Sequence, residues 1–283
     1  MIRSWLHALR VPGFRNPKPL VAVIRLAGVI GERAGGLRPG LTAAALVQPL
    51  ERAFAMHGLS AVALAINSPG GAPAQSSLIV KRIRALADEH KIPVIAFAED
   101  VAASGGYMLA CAADEIFADD TSIVGSIGVI SAGFGFPELL KRYGIERRVY
   151  TAGESKGMLD PFQPEDAGEV AHLKDLQRDV HDAFKELVRT RRAGKLKAPE
   201  DELFTGAFWT GRRALALGLV DGIGELTQVM RERYGENVRF RPIGARQNWL
   251  MRRFGLGASL GSRFGADVLD IVEERVWRAR FGL

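Results

Sequence analysis

The chain has 283 residues, of which 47% are hydrophobic and 25% are charged, so it can bury a full core and is not intrinsically disordered. Its one cysteine, Cys111, excludes an intramolecular disulfide and a thiolate zinc site. A spanning helix needs about 18 apolar residues, and the best candidate, residues 20–30, is interrupted by Arg25. We therefore expect a globular protein without a membrane-spanning helix or a cleavable signal.

The net charge of +6 is concentrated at the two ends of the chain. Residues 1–18 and residues 241–283 each carry +4, and the 222 residues between them carry −2. The basic charge therefore gives little support to nucleic-acid binding by the central region, and we expect no nucleic-acid partner. We predict three regions: a basic segment over 1–18, a globular domain over 19–240 and a basic amphipathic extension over 241–283.

Strand and helix patterns alternate through the first half of the globular region. The predicted elements are a strand from Val21, a helix over Leu41–Met56 capped by Thr42, a buried strand over Leu59–Asn67, a helix over Gln75–His90 and a strand over Pro93–Ala98. This βαβαβ order with buried strands predicts an α/β fold, a parallel sheet covered by helices.

A second series of elements follows Ser104 and extends the same domain. It comprises a small-residue helix over Gly105–Ala113, strands in EIFA, SIVG and SIGVI between Glu115 and Ile130, a helix near Phe136–Tyr143, a strand near Arg147–Thr151 and a long charged helix over Asp166–Arg192. Residues 208–222 close the globular part.

Two glycine-rich turns follow buried strands, NSPGG at 67–71 and ASGGY at 103–107. Glycine lets the backbone approach a ligand closely, so two such turns side by side could donate two amide hydrogens to one oxygen. Such a pair would form an oxyanion hole for acyl transfer. Ordinary strand-to-helix turns remain the alternative, and a phosphate loop is less favoured because neither GxxxxGK[ST] nor GxGxxG is present.

Ser104 lies between a strand and a helix, where a nucleophile would have a helix N-terminus behind it, although a serine there can also be a plain helix cap. None of the five histidines lies in a context typical of its base. Serine hydrolases also use a lysine that burial keeps neutral. Lys156, within AGESKGMLDPF, is flanked by small and apolar residues, unlike the lysines on charged helices.

Five motifs in register resemble the signal peptide peptidase A family of serine peptidases, in particular its short bacterial members. They are NSPGG, VAASGGYMLACAADEIFAD, GSIGVI, GESKG and FTGAFWTGRRALALGLVDGIG, spread in order over roughly residues 20–230. The resemblance implies that Ser104 is the nucleophile and that Lys156, 52 residues later, is the general base. It also implies oxyanion amides at Gly71 and Gly105, with Ser126 orienting the lysine.

The resemblance further implies a ClpP/crotonase-type β-superhelix of βαβ units, usually oligomeric. It implies an endopeptidase that needs no cofactor or metal and cuts signal-peptide remnants or other unfolded peptides. We expect an extended peptide along the GSIGVI segment, with small or apolar side chains preferred at the cleaved position. The predicted substrate-binding residues are Gly70, Ile127, Gly128 and Val129.

Two other functions remain open. Crotonase-type acyl-CoA enzymes share this fold and its paired glycine amides but need no serine nucleophile. A non-catalytic scaffold bound to membranes by its basic ends is the second. Arginine mixed with Trp5 and Trp249 suits an anionic membrane surface, although subunit contacts would explain these ends equally well. We predict a cytoplasmic protein, with peripheral contact to the inner membrane through the basic termini.

Overall fold

The computed structural model describes residues 18–32 and 40–244. Eight strands lie in this part of the chain: β1 Leu20–Ala27, β2 Leu59–Ser68, β3 Val94–Ala103, β4 Glu115–Ala118, β5 Ile123–Gly125, β6 Phe208–Thr210, β7 Gly222–Ile223 and β8 Arg239–Ile243. Its helices are α1 Ala43–Phe54, α2 Pro73–His90, α3 Gly105–Ala110, α4 Pro137–Arg142, α5 Ala167–Arg191, α6 Glu200–Leu203, α7 Gly211–Leu217 and α8 Leu226–Tyr234.

The strands form one sheet with the order β6-β5-β3-β2-β1-β8, and β4 and β7 branch from β3. Every pair is parallel except β5 with β6. The predicted α/β class with a mostly parallel sheet covered by helices is therefore confirmed. The first half of β3 pairs with β4, and its last three residues pair with β5.

Alternate residues of β2 bury the two faces of this sheet. Val62, Leu64 and Ile66 belong to the larger core, which is completed by residues of α1, α2, α3, α5 and α7. Ala61 and Ala63 point to a smaller core on the opposite face, where α8 packs. A strand covered on both faces has no polar side to show, which explains the near-continuous apolar run in the sequence.

Local sequence signals account for the helix starts. The Thr42 hydroxyl accepts a hydrogen bond from Ala45 N–H (3.2 Å) at α1. The Asp166 carboxylate accepts from Gly168 N–H (2.8 Å) and Glu169 N–H (3.0 Å) at α5. Each cap satisfies amides that the first helical turn leaves unpaired.

Two predicted strands are wrong. Residues 126–130 are irregular, because Gly125 and Ser126 both have positive φ angles (110° and 53°) that end β5. Residues 147–151 are irregular and exposed. Conversely, β3 runs beyond the predicted Ala98 to Ala103, through the charged residues Glu99 and Asp100.

Both basic ends fall largely outside the described residues, so their predicted membrane or subunit contacts are not addressed by the fold. Within residues 18–32 and 40–244, no helix has both the length and the apolar character that crossing a bilayer requires.

A buried ion pair fastens the end of α5 to the segment before β7. Arg192, only 2% exposed, donates to Asp221 Oδ2 (2.5 Å) and to Gly218 O (2.7 Å). Asp221 also accepts from Lys195 Nζ (2.9 Å) and from Ile116 N–H (2.8 Å). Burial alone would raise the pKa of Asp221. The hydrogen bonds from Arg192, Lys195 and Ile116 lower this pKa by more than burial raises it, so it lies below its usual value.

Asp221→Asn is expected to lower the free energy of unfolding at pH 7 by about 2–3 kcal/mol, because it leaves the buried guanidinium of Arg192 without its counter-charge while solvent screens part of the loss. A carboxyl whose folded pKa is depressed stabilises the fold above its unfolded pKa, about 3.9, and loses this contribution as the pH falls through the folded pKa. Urea unfolding at pH 7 and below pH 4 should therefore show the gap to wild type shrinking in acid. Asp120→Asn, in the exposed pair with Arg212, is the matched control. An equal gap at both pH values would contradict this assignment.

Candidate active site

Ser104 lies at the turn between β3 and α3 in a strained backbone conformation. Its φ and ψ angles are 52° and −122°, and its side chain makes no capping hydrogen bond to the helix. The turn is held from both sides, since Ser104 N–H donates to Gly125 O (2.8 Å) and Ser104 O accepts from Tyr107 N–H (2.9 Å). Positive φ in a residue other than glycine costs about 1–3 kcal/mol and is typical of catalytic turns. A similar sharp strand-to-helix turn exposes the nucleophilic serine of α/β-hydrolases.

The two glycine-rich turns touch each other. A Cβ on Gly70 would lie 2.8 Å from both Gly105 N and Ser104 Cβ, so only glycine allows this approach. Gly71 forms a parallel bridge with Ile30, in which Ile30 N–H donates to Gly70 O and Ala72 N–H donates to Ile30 O, each at 2.8 Å. In such a bridge the N–H of Gly71 itself points away from Ile30. Ser104, Gly71 and Gly105 line one cavity, so their geometry can offer two amides beside a hydroxyl.

Ser126 directly follows β5, the strand that pairs with the end of β3. Ala103 and Gly125 form the last pair between β3 and β5, and the two serines follow directly. Ser126 is buried, and its N–H donates to Ala207 O (2.7 Å).

The residues after Ser126 form one edge of the cavity. The Ile127 side chain is fully buried, and its carbonyl oxygen lies 3.1 Å from His181 Nε2. Gly128 and Val129 line the cavity, whereas Ile130 is exposed and does not. Of the predicted substrate-binding residues, Gly128 and Val129 therefore line the cavity, and Gly70 and Ile127 do not.

The cavity beside Ser104 has a volume of about 610 Å³ and is mainly apolar. Its walls come from α2, α3 and α5, and its largest apolar lining residues are Val80, Met108, Val180, Phe184 and Leu187. Lys81, Asp179 and Glu186 also line it. The contribution of α5 to the cavity was not predicted from the sequence. The apolar stripe at Val180, Phe184 and Leu187 on an otherwise charged helix was the available signal.

Lys156, like Gly70, Ser126 and Ile127, is a predicted site residue that does not line the cavity in the single chain. It is exposed and is absent from the described lining of the cavity at Ser104. It belongs to an exposed segment over residues 131–165, which we call the excursion, that leaves the sheet after β5 and returns at α5. The predicted apolar surroundings of Lys156 are therefore wrong for one isolated chain.

Two side chains of the segment that follows Ser104, Tyr107 and Cys111, are poor nucleophiles. Burial raises the pKa of the Cys111 thiol to about 12, so it carries almost no thiolate at neutral pH. Burial also raises the pKa of Tyr107, whose hydroxyl donates to Leu219 O (2.7 Å). No group of three or more His, Cys, Asp or Glu side chains that could hold a metal occurs in the described part of the chain.

Known peptidases are similar to this chain in sequence. A sequence model described as "Peptidase family S49" matches residues 87–237, just over half of the chain. The chain is 32% identical to the chloroplastic serine protease SPPA of Arabidopsis thaliana over 77% of its own length and 32% of that protein. It is 31% identical to the probable protease SohB of Haemophilus influenzae, over 69% of its own length and 54% of that protein.

A Brucella melitensis protein named Na(+)/H(+) antiporter NhaA is 50% identical over 95% of this chain, but the match covers 38% of that protein. The chain thus spans about a third to a half of these curated relatives, so a name given to the whole Brucella protein is not transferred.

Solved structures are similar in fold. A mutant of the 1510-N membrane-bound stomatin-specific protease aligns over 81% of this chain and 100% of its own, with a TM-score of 0.51 and 18% identity. A second mutant, in complex with a substrate peptide, aligns over 91% of this chain and 99% of its own with a TM-score of 0.50 and 17% identity. These similarities confirm the predicted ClpP-type fold. The sequence match over residues 87–237 identifies the chain as a member of peptidase family S49.

Proposed function

We propose that this protein is a serine endopeptidase in which Ser104 is the nucleophile and Lys156 the general base. The observation that carries the proposal is the turn of Ser104, held at positive φ beside Gly71 and Gly105 in one cavity. A hydroxyl exposed on a strained turn next to two backbone amides suits attack on a carbonyl.

The proposed reaction has two stages, acylation of the serine and hydrolysis of the acyl-enzyme. The Ser104 hydroxyl attacks the peptide carbonyl while the neutral amine of Lys156 accepts its proton. The N–H groups of Gly71 and Gly105 stabilise the resulting oxyanion. The lysine ammonium then gives the proton to the leaving amine, and a water molecule hydrolyses the acyl-enzyme by the same route. The Ser126 hydroxyl accepts a hydrogen bond from the amine and orients it.

We infer that the base comes from a second copy of the chain. A lysine in water has a pKa of about 10.4 and is protonated at neutral pH, so it acts as a base only when burial favours its neutral form. Lys156 is exposed in one chain, and the described cavity at Ser104 is lined without it. We therefore expect the site to be incomplete in a monomer.

Exposed apolar side chains on the excursion support such an assembly. Tyr150 is 91% exposed and Phe134 is 81% exposed, and Tyr143, Ile145 and Leu159 are also exposed. Single chains seldom expose so many large apolar residues in one segment. A neighbouring copy that covers the excursion would bury them and desolvate Lys156 in the same step.

Ser104→Ala and Lys156→Ala should each abolish cleavage of an unstructured peptide while leaving thermal unfolding nearly unchanged. Refolding an equal mixture of the two variants should restore about a quarter of the wild-type activity, because one site in four would combine an intact Ser104 with an intact Lys156 from a neighbour. Lys174→Ala, an exposed lysine on α5, is the matched control and should retain full activity.

The possible outcomes separate the parts of the proposal. Full activity of either single variant would overturn the pair of catalytic residues. Two inactive variants that stay inactive when mixed would overturn the sharing of the site between copies. An acyl-CoA activity that survives Ser104→Ala would instead favour the crotonase-type alternative, which needs no serine.

The cavity next to Ser104 suits an apolar side chain at the cleaved position, because its walls are Val80, Met108, Phe184 and their apolar neighbours. Ala183 faces the same space from α5. Ala183→Phe should shift the preference in a peptide library from large apolar residues to alanine and glycine by about tenfold in kcat/KM. Ala171→Phe, elsewhere on α5, is the control. A preference for charged residues at this position would contradict the proposed substrate class.

The natural substrates that we propose are signal-peptide remnants and other unfolded or membrane-associated peptides, in line with the name "signal peptide peptidase" of a relative from Enterococcus faecium. A cytoplasmic location with peripheral membrane contact through the basic termini remains a proposal from the charge distribution.

A further inference from the structure

The strand that delivers Ser104 is irregular just before its end. Strands β2 and β3 pair in regular register as far as Ile66 with Ala98, and the next pair is Ser68 with Ala102. Two extra residues of β3 are therefore accommodated between these pairs. At the same point β3 changes its other partner from β4 to β5. Such bulges bend a strand and change the direction of the side chains that follow.

One polar contact spans this bulge, between a buried amide and an exposed carboxylate. Asn67, 4% exposed, donates from Nδ2 to Asp100 Oδ2 at 2.6 Å. Asn67 Oδ1 is buried without a hydrogen-bond partner among the described residues. A buried unpaired carbonyl oxygen destabilises a fold, and an apolar side chain would avoid that penalty. Stability alone therefore does not explain an asparagine at this position.

The contact lies at the same sequence distance from two groups of the proposed site. Asn67 precedes Gly71 by four residues, and Asp100 precedes Ser104 by four residues. Between them, Ser68 pairs with Ala102, and the Ser68 hydroxyl accepts from Gly70 N–H (3.2 Å) and donates to Gly28 O (2.7 Å). Ser68 O also packs where a Cβ on Gly106 would lie. A hydrogen bond at the start of both turns therefore constrains how they meet.

We propose that Asn67 and Asp100 are positioning residues that set the distance from Ser104 to the amide of Gly71. This inference rests on the proposed peptidase function. Neither residue lines the cavity beside Ser104. Their loss should therefore slow the chemical step and leave substrate binding nearly unchanged.

A second contact in the same bulge provides a matched control. Arg25 reaches across β2 to Glu99, with Nη2 2.7 Å from Oε2. These side chains are 61% and 35% exposed, so water screens their interaction and its contribution is small. Glu99→Gln changes the same bulge and leaves both partners of the Asn67–Asp100 hydrogen bond, and the charge of Arg25, in place.

The experiment exchanges the two partners of the hydrogen bond between Asn67 and Asp100. Asn67→Asp places two carboxylates together and should lower kcat for a peptide, and the rate at which a fluorophosphonate labels Ser104, by about tenfold or more. The KM should stay within about twofold. Asp100→Asn keeps an acceptor for Asn67 and should lose little. The double variant Asn67→Asp with Asp100→Asn restores a donor and an acceptor and should recover the activity of Asp100→Asn. Glu99→Gln should resemble wild type.

Asn67→Leu guards against a variant that merely fails to fold. It removes both the contact and the unpaired oxygen, so we expect a melting temperature equal to or above that of wild type together with a lowered kcat. Unchanged kcat in both Asn67 variants of an active enzyme would overturn the positioning role alone, as would loss of kcat only in proportion to loss of stability. Wild-type protein that neither cleaves peptides nor reacts with the probe would overturn the proposed function and this inference with it.

Discussion

The close approach of two backbone turns is the constraint on which the site depends. Gly70 and Gly71 lie against Ser104, Gly105 and Ile30 with no room for a Cβ. Parallel neighbouring strands bring the turns together, since the ends of β2 and β3 meet at one edge of the sheet. Backbone amides held by a sheet need no reorganisation when charge develops on a substrate, which is why such a contact suits catalysis better than flexible side chains would.

The elements around this contact hold the Ser104 turn and the cavity in place through separate contacts. Strand β5 fixes the Ser104 turn through Gly125 O, and Ser126 follows from the same strand. Helix α5 closes the cavity with an apolar stripe and contacts Ile127 O through His181. Its C-terminal end is held by the buried pair of Arg192 and Asp221. The cavity and the turn are thus fastened to the sheet by separate contacts, so binding and chemistry can be altered independently.

Local patterns in the sequence were sufficient to predict the parallel sheet, the Thr42 cap and the long helix α5, because apolar periodicity and capping depend on neighbouring residues. The same patterns mispredicted residues 126–130, where the conformation depends on a hydrogen bond to Ala207, 81 residues away. The bulge at Asn67 and Asp100 likewise arises from pairing between distant strands. The resemblance to a known family implied roles for Ser104 and Lys156, but a resemblance in sequence does not determine which chain of an assembly would supply each side chain.

The exposed excursion that carries Lys156 has a consequence for control of the proposed activity. A newly made chain would fold with its serine turn formed and its base in water, and it would remain latent until it met another copy. Protein concentration would then act as the switch that a removable prosegment provides in other proteases. Dilution would return the enzyme to its inactive form, so proteolysis would be confined to places where the chain accumulates.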